Sequence, residues 1–419
     1  MDARDPEAAT ESNRRGWRWF ALLGLVFLVG VTLRTVLLGV PPVLPLIQRD
    51  LGLSYTATGL LTGLPVLMMG GAAWASGRVI ERIGGRRAVT IGLVLLAAGA
   101  LLRAPFASVV LLYLFTAVLS LGIALSQTAV PVLVRAWFPR HIGLAAALYT
   151  DGIIAGEVLA VAATGPLLLG WLGEGAWRAS FVAWGLTVIP VILLWHVLAP
   201  AAEPVRPRPS RTVDEPQLAV SSRSGAARPR VRAWHLGLVS SGGAVIYFTM
   251  NSWIPPYNEA LGHGDVTALA LTVLNGAQLP VSLALTLVAQ RLAGERWPFI
   301  TVGVVGIGAI IGLTSTPLSW QPIWVAVLGA SSVAVLVLGT ALPPLLAGPG
   351  EVARLTGATL TINYGVAFVG PLFGGWLWDQ FNRPVLAFAP VVLAGLILIV
   401  LGARLPRLEK VPEPVRARP

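Results

Sequence analysis

Long apolar runs separated by short polar stretches dominate this 419-residue chain. Each run reaches or approaches the ~20 residues that an α-helix needs to cross the hydrocarbon core of a bilayer. The pattern predicts twelve transmembrane helices, at about 17–47, 55–77, 88–104, 107–137, 141–170, 177–198, 233–259, 265–291, 297–316, 320–346, 354–379 and 384–403. We therefore expect an all-α integral membrane protein.

The composition agrees with this pattern and excludes several kinds of chemistry. Hydrophobic residues make up 55% of the chain and charged residues 12%, whereas an average soluble domain carries about 25% charged residues. Cysteine is absent and only four histidines are present, so we expect no metal site and no cofactor. The sequence contains no phosphate-binding or catalytic motif, so an enzyme is not expected.

The basic residues are divided unevenly between the two sides of the predicted membrane. With both termini in the cytoplasm, 25 of the 30 basic residues lie in cytoplasmic segments. The basic residues of the outside loops are Arg49, Arg103, Arg178 and Arg383. This bias predicts an inner (plasma) membrane protein with cytoplasmic termini. It also explains the net charge of +11 without nucleic acid, so the expected partners are the lipid bilayer and a small solute, and we expect a monomer.

Two sets of six runs flank one long polar loop. The loop is rich in Pro, Arg and Ser and lacks apolar periodicity, which is typical of a tether. The predicted domains are a cytoplasmic N-tail (1–16), a six-helix bundle (17–198), a cytoplasmic linker (199–232), a second six-helix bundle (233–403) and a cytoplasmic C-tail (404–419).

The two halves repeat one another weakly. Leu44–Gly52 aligns with Ile254–Gly262 at an offset of 210 residues. Two further matches keep nearly the same offset: Pro139–Gly152 with Val352–Gly365 at 213, and Leu64–Val66 with Leu279–Val281 at 215. Three matches in order predict a duplicated, pseudo-symmetric bundle. Such a duplication places a solute site near the membrane midplane, between the halves.

Arg34 is the only ionisable residue between Phe20 and Gln48, in the middle of the first predicted span. A guanidinium at the centre of a spanning helix costs about 2.5–3.5 kcal/mol on insertion scales, and it cannot lose its proton. It therefore needs a buried carboxylate, an anionic ligand, or each in turn.

Glu157 in span 5 is the carboxylate at the matching depth. Arg34 lies 17 residues from Trp17, and Glu157 lies 16 residues from His141, so both sit about 24–26 Å from the starts of their helices. We expect Arg34 to be the anion site and Glu157 the proton-coupling site, with Asp151 as a second candidate for coupling. The alternative is a static ion pair that only joins spans 1 and 5.

Further polar residues in the spans are candidates for the solute pocket. In span 7, Tyr247 and Asn251 lie at helical spacing, and Trp253 is adjacent. Gln127 in span 4 and Asn363 in span 11 complete the expected substrate-binding set, and further candidates are Asn275, Gln278 and Tyr364. Polar side chains of this kind also hold helices together in membranes, so both interpretations stay open.

The loop after span 2 reads Gly-Arg-Val-Ile-Glu-Arg-Ile-Gly-Gly-Arg-Arg. It resembles the corresponding loop of the major facilitator superfamily. The matching positions are Gly77, Arg82, Gly84, Arg86 and Arg87, while Glu81 replaces the usual aspartate. The resemblance implies a cytoplasmic latch that stabilises the outward-open state. It also implies the major facilitator fold, in which spans 1 and 5 both line the central cavity.

A narrower resemblance rests on Thr32-Leu-Arg34, the prolines at 41–45, Gly63-Leu-Pro65 and Trp253–Tyr257. These motifs are similar to the branch of cyanate and nitroimidazole transporters. The resemblance implies a secondary transporter that works by alternating access on a small anion or a polar, nitrogen-containing solute. We favour proton symport. The alternative is a proton-coupled exporter of drugs or metabolites from the same superfamily.

Overall fold

The computed structural model describes residues 6–173, 175–200, 232–292, 294–347 and 351–406. Nearly all of the predicted linker, the first five residues of the N-tail and most of the C-tail lie outside the described residues. Every element of regular structure within the described ranges is a helix. The predicted all-α class is therefore confirmed.

The helices of the first half begin with a long one that is followed by a short one. They are α1 (Pro6–Leu38), α2 (Leu44–Leu51), α3 (Tyr55–Ile83), α4 (Gly85–Leu102), α5 (Val109–Trp137), α6 (Ile142–Ala163), α7 (Gly170–Leu172) and α8 (Trp177–Leu198). A π-helical stretch, Thr164–Leu169, joins α6 to α7. Together, α6, α7 and this stretch correspond to the predicted fifth span.

The described elements of the second half are also all helical. Its helices are α9 (Ala233–Ala260), α10 (Thr267–Gly276), α11 (Gln278–Leu292), α12 (Trp297–Ser315), α13 (Gln321–Leu346), α14 (Val352–Phe381) and α15 (Ala389–Ala403). The helices α10 and α11 together correspond to the predicted eighth span.

Two predicted spans are broken where prolines interrupt the helical hydrogen bonding. The first span was predicted as one run to residue 47, but α1 ends at Leu38 and a short 3-10 turn, Pro41–Val43, precedes α2. The eighth span breaks after Gly276, the residue whose carbonyl would accept a bond from position 280. Position 280 is proline, which has no N–H to donate and whose ring clashes with that carbonyl.

Among the described residues, ten helical stretches are long and apolar enough to cross a membrane, or eleven if a bent pair within α3 is one span. The helix that completes the predicted twelve is α9, at 28 residues. It is long enough to cross, but its run of buried residues includes Ser240, Ser241, Asn251, Ser252 and Asn258. Polar side chains lower its hydropathy, and burial between other helices makes them tolerable.

The internal repeat is visible in the backbone and in one ion pair. Gly52 and Gly262, which align at the offset of 210, both follow a helix end with positive φ, +61° and +76°. Glycine is the residue that adopts this left-handed conformation without strain. Arg49 and Glu259 also align at that offset, and their side chains form an ion pair of 2.6 Å. Equivalent positions touch only close to the pseudo-two-fold axis, so the axis passes between them.

Glycines allow neighbouring helices to approach until their backbones touch. A Cβ atom on Gly122 of α5 would lie 2.4 Å from the carbonyl oxygen of Gly92 in α4, and one on Gly156 of α6 would lie 2.3 Å from that of Val31 in α1. Small residues at crossings are a general device of membrane helices, because van der Waals packing rather than hydrophobicity holds helices together in lipid.

We predict that Gly122→Ala lowers the thermal stability of the purified protein. The added methyl group has no space unless α4 and α5 move apart, and overpacking of this kind typically costs about 1–3 kcal/mol. The measurement is thermal unfolding in detergent followed by tryptophan fluorescence. The matched control is Gly24→Ala, where a Cβ atom has no neighbour within 4 Å. Equal melting temperatures for the two variants would contradict the packing argument.

Candidate functional site

The two charges predicted at equal depth are in contact. Arg34 Nε lies 3.4 Å from Glu157 Oε1, and the two side chains are 12% and 5% exposed. The neighbouring glycines explain the contact: Gly30 on α1 and Gly156 on α6 have the facing helix where a Cβ atom would be. Because the two backbones approach closely, the side chains of Arg34 and Glu157 can meet in the membrane interior.

Arg34 is only partly satisfied by Glu157. Its Nη1 atom is buried and has no hydrogen-bond partner among the described residues. Three tyrosines are close enough to interact with its charge, Tyr149 from α6, Tyr247 from α9 and Tyr364 from α14. The hydroxyl group of Tyr149 is likewise buried without a partner in the described part of the chain, whereas Tyr247 is directed at Glu157. Helices of both halves thus contribute polar side chains around the guanidinium.

A chain of amide side chains leads from Glu157 into the second half. Gln278 and Tyr247 both approach the Glu157 carboxylate. Gln278 Nε2 donates to Asn275 Oδ1 at 3.3 Å, and Asn275 Nδ2 donates to Asn251 Oδ1 at 2.9 Å. The carboxylate is therefore linked to a buried polar network on α9, α10 and α11. A change in the charge of Glu157 would therefore alter the interactions of side chains in both halves.

The remaining predicted residues are divided between this centre and other places. Gln127 Oε1 on α5 and Asn363 Oδ1 on α14 are buried without a partner among the described residues. Asp151 is half-buried on α6 and is not part of the Arg34–Glu157 pair. Trp253 does not line the cavity next to Tyr247: it is fully buried, and its indole N–H donates to the carbonyl of Pro371.

Arg103 lies in the turn directly after α4, where a loop was predicted, but the burial of its side chain was not predicted. The side chain is 2% exposed. Its Nη2 donates to the carbonyl of Val36 at 3.2 Å, and the guanidinium stacks 3.8 Å from the ring centre of Phe181. The residue directly follows the apolar run of α4, where a loop arginine is ordinary, so no local signal distinguished it.

A narrow cavity is lined by Arg103, Leu37 and Val40 of the first half and by Tyr247 and Asn251 of the second. The space open to a water-sized molecule is about 30 Å³, which holds about two waters. The cavity therefore connects the second buried arginine with side chains that surround the Arg34–Glu157 pair.

The halves are joined at the end of the molecule that carries Arg49, here called the Arg49 end. Besides the Arg49–Glu259 ion pair, Asp379 of α14 accepts hydrogen bonds from the backbone N–H groups of Tyr55 and Thr56 at 2.9 and 2.7 Å. These N–H groups begin α3 and have no partner within the helix. The ring of Tyr55 also stacks on Trp378, with centroids 4.0 Å apart. We call this group of contacts the clamp.

The contact between α3 and α14 continues inward from the clamp and then ends. Cβ atoms on Gly59, Gly63 and Gly70 would meet Pro371, Phe368 and Tyr364 of α14 within 3.0 Å. Continuing this antiparallel register places Gly77 level with Gly357, yet a Cβ atom on either would have no neighbour within 4 Å. α3 bends by 58° between Ala72 and Ala75. The halves are therefore closed at the Arg49 end and apart at the opposite end, near Arg86.

The predicted latch lies at this open Arg86 end. Gly84 separates α3 from α4 with φ +83°, so the turn needs a glycine. Arg86 donates to the carbonyl of His196 and its own carbonyl accepts from the indole of Trp195. Both partners belong to the first half. Glu81, Arg82 and Arg87 are exposed. The latch role of these residues and Gly77 stays a prediction.

The sequence model of one protein family, the Major Facilitator Superfamily, matches residues 20–371 of this chain. The chain belongs to the major facilitator superfamily. The predicted family is thereby confirmed, and with it a multi-pass membrane transporter rather than an enzyme.

Curated relatives include members of the predicted branch. An uncharacterized transporter of Bacillus subtilis (strain 168) is 27% identical over 93% of this chain and 94% of its own length. The cyanate transport protein of Escherichia coli (strain K12) is 24% identical over 91% and 96%, respectively. The 2-nitroimidazole transporter of the same organism is 24% identical over 91% and 94%. The resemblance to this branch is confirmed.

Solved structures agree on the fold. A bacterial homologue of the human lysosomal transporter Spinster, solved in an inward-facing and unoccupied conformation, superposes with a TM-score of 0.70. It is 17% identical, and the match covers 93% of this chain and 95% of that one. At this identity the likeness shows the major facilitator fold alone.

We predict that Asp379→Ala opens the Arg49 end. The substitution removes charge-assisted bonds to the start of α3, which contribute about 1.5–3 kcal/mol. The reporter is a single cysteine, Ser252→Cys, in a chain without cysteine; Ser252 is 3% exposed, lines the cavity and donates to Thr62 of the other half. In intact cells, a membrane-impermeant maleimide should label this cysteine several-fold faster in the Asp379→Ala background.

The control for this experiment is Asp265→Ala, which removes an exposed carboxylate at the same end without touching the clamp. It should leave the labelling rate unchanged. If the rate in Asp379→Ala equals that of the control, Asp379 does not hold the halves together.

Proposed function

We propose that this transporter moves a small anion or a polar, nitrogen-containing solute by alternating access, with Arg34 as the anion site. Proton symport through Glu157 is the coupling we favour. The observation that carries the proposal is the Arg34–Glu157 contact, with one guanidinium nitrogen of Arg34 left unpartnered among the described residues. The names of the cyanate and 2-nitroimidazole transporters support a cargo of this class.

The electrostatics of a buried pair favour exchange of partners. The ion pair reduces the burial cost of both groups, but a 3.4 Å contact through a single nitrogen uses only part of the guanidinium fork, which can bind a planar anion with two parallel bonds. An arriving anion that takes these donors leaves Glu157 buried without its cation. A carboxylate in that position becomes easier to protonate. Anion binding and proton uptake therefore favour one another.

Coupling one proton to one anion removes the electrical barrier to import. A free anion that enters a cell against a potential of about −100 mV loses about 2.3 kcal/mol. One anion and one proton together move no net charge. We therefore propose an importer in the inner membrane, with both termini in the cytoplasm and the open Arg86 end facing inward. The same carboxylate could serve a proton-coupled exporter, and the direction of the driving pH gradient distinguishes the two.

The side chains around the Arg34–Glu157 pair suggest how binding of the solute could move the two halves relative to one another. Tyr247, Tyr364 and Gln278 of the second half approach the pair, which belongs to the first half. An anion bound at Arg34 would draw these donors together. Closure of the Arg86 end then requires the clamp to release. The Arg49–Glu259 pair is exposed, and exposed pairs contribute only about 0.2–1 kcal/mol, so this part of the clamp adds little to the cost of release.

We predict that sodium cyanate, nitrate, nitrite, a short carboxylate or a nitroimidazole raises the melting temperature of the purified protein, and that Arg34→Gln weakens the effect of the active compound, so that about tenfold more of it is needed. In proteoliposomes, Glu157→Gln should bind this compound but lose acceleration of uptake by an inward proton gradient. An outward proton gradient that drives accumulation would instead indicate the exporter.

The matched controls come from an exposed ion pair. Arg354 and Glu351 form a 3.3 Å pair at the start of α14, with both side chains more than half exposed. Arg354→Gln and Glu351→Gln repeat the two chemical changes away from the membrane interior, and both should behave like the wild type. The coupling role of Glu157 is refuted if Glu157→Gln transports with the full dependence on the proton gradient.

A further inference from the structure

The buried interior of the first half holds one more positive charge than negative charge. Among the described residues, Arg103 and Glu157 are the buried charged side chains, and Arg34 is nearly buried at 12% exposed. Glu157 compensates Arg34, and Arg103 has no carboxylate within ion-pair distance in the described residues. An uncompensated buried cation is costly, so its retention requires a reason.

The contacts that Arg103 makes explain its position but not its charge. One nitrogen donates to the carbonyl of Val36, and the guanidinium lies over Phe181. A cation over an aromatic face gains about 0.5–2 kcal/mol. A neutral amide could make the same hydrogen bond without the burial cost of a cation. The Nε atom, in addition, is buried without a partner in the described part of the chain.

The position of Arg103 relative to the cavity suggests the reason. Arg103 lines the cavity together with Leu37, Leu38 and Val40, which lie one to two turns beyond Arg34 on the chain toward the Arg49 end. Tyr247 lines the same cavity and also approaches Arg34 and Glu157. Arg103 and Tyr247 thus share one cavity, Tyr247 relates this cavity to the Arg34–Glu157 pair, and Arg103 is on the side of the closed clamp.

We propose that Arg103 is a second anion-binding site, which the cargo occupies between Arg34 and the Arg49 end of the molecule. The inference rests on the proposed function in one respect, that the cargo carries a negative charge. An anion that leaves the aqueous phase at the Arg49 end would meet the unpaired guanidinium of Arg103 first. Arg34, paired with Glu157, is reached next, and there the exchange with the proton occurs.

The test removes the charges of Arg34 and Glu157, so that Arg103 is the only one of these three buried charges that remains. The double variant Arg34→Gln/Glu157→Gln replaces the central pair by neutral amides, which avoids a stranded carboxylate. Its thermal stability is measured with sodium cyanate and sodium nitrate, and with sodium gluconate at equal ionic strength as a probe too large for the cavity. We expect stabilisation by cyanate or nitrate at about tenfold higher concentration than in the wild type, where both sites act.

Two further variants assign the response to Arg103. Adding Arg103→Gln to the double variant should abolish the stabilisation by cyanate or nitrate. Adding Arg178→Gln should leave it intact, since Arg178 is an arginine at the same end that pairs with Asp50 at 2.6 Å outside the cavity. Phe181→Leu in the double variant removes the stacked ring but keeps the charge, so the response should persist, with at most a lower starting melting temperature.

The possible results separate this proposal from the proposed function. If cyanate and nitrate stabilise the wild type but not the double variant, the second site is refuted and the role of Arg34 stands. If the double variant responds as the wild type does and Arg103→Gln abolishes the response, the second site stands and the role of Arg34 fails. If the response of the double variant survives Arg103→Gln, or if neither protein responds, the second site is refuted.

Discussion

The contact between Arg34 and Glu157 is the interaction on which the rest of this molecule depends. A permanent cation in the membrane interior is tolerated only with a partner, and the partner is set by depth along two helices that touch through glycines. Because the guanidinium fork is not filled and a carboxylate can be neutralised, we propose that the pair that joins these two helices also changes partners during transport.

The architecture around the pair provides the two states that such an exchange needs. Duplication of a six-helix unit places equivalent elements on both sides of an axis, and Arg49 and Glu259 meet where that axis leaves the membrane. In this structure the clamp closes that end, while α3 and α14 separate beyond Gly70. Few and exposed bonds at the clamp mean that the closed state is only modestly favoured, as a transporter that alternates between two states requires.

Functional residues could be predicted from the sequence where a charged residue lies within an apolar run. They could not be predicted where a side chain is buried by residues that are distant in sequence. Arg34 and Glu157 stand out in apolar runs, and helical rise alone placed them at one depth. Arg103 was correctly placed after an apolar run, but its burial could not be predicted, because Phe181 and Val36, which it contacts, are remote in sequence. Trp253 could not be assigned to the pocket or the core from helical spacing, since nearly every residue of its part of α9 is buried. The fold class followed from the apolar runs, whereas the breaks after Leu38 and Gly276 depend on prolines whose local effect was not anticipated.

Proton uptake on anion binding is the measurement that tests this account most directly. Calorimetric titration of the purified transporter with the anion that stabilises it most, repeated at one pH in buffers of different ionisation enthalpy, counts the protons that enter the protein with the ligand. The exchange at Arg34 and Glu157 predicts an uptake approaching one proton per anion in the wild type and none in Glu157→Gln. Anion binding with no proton uptake in the wild type would contradict the account, and the pair would then be a static link between two helices.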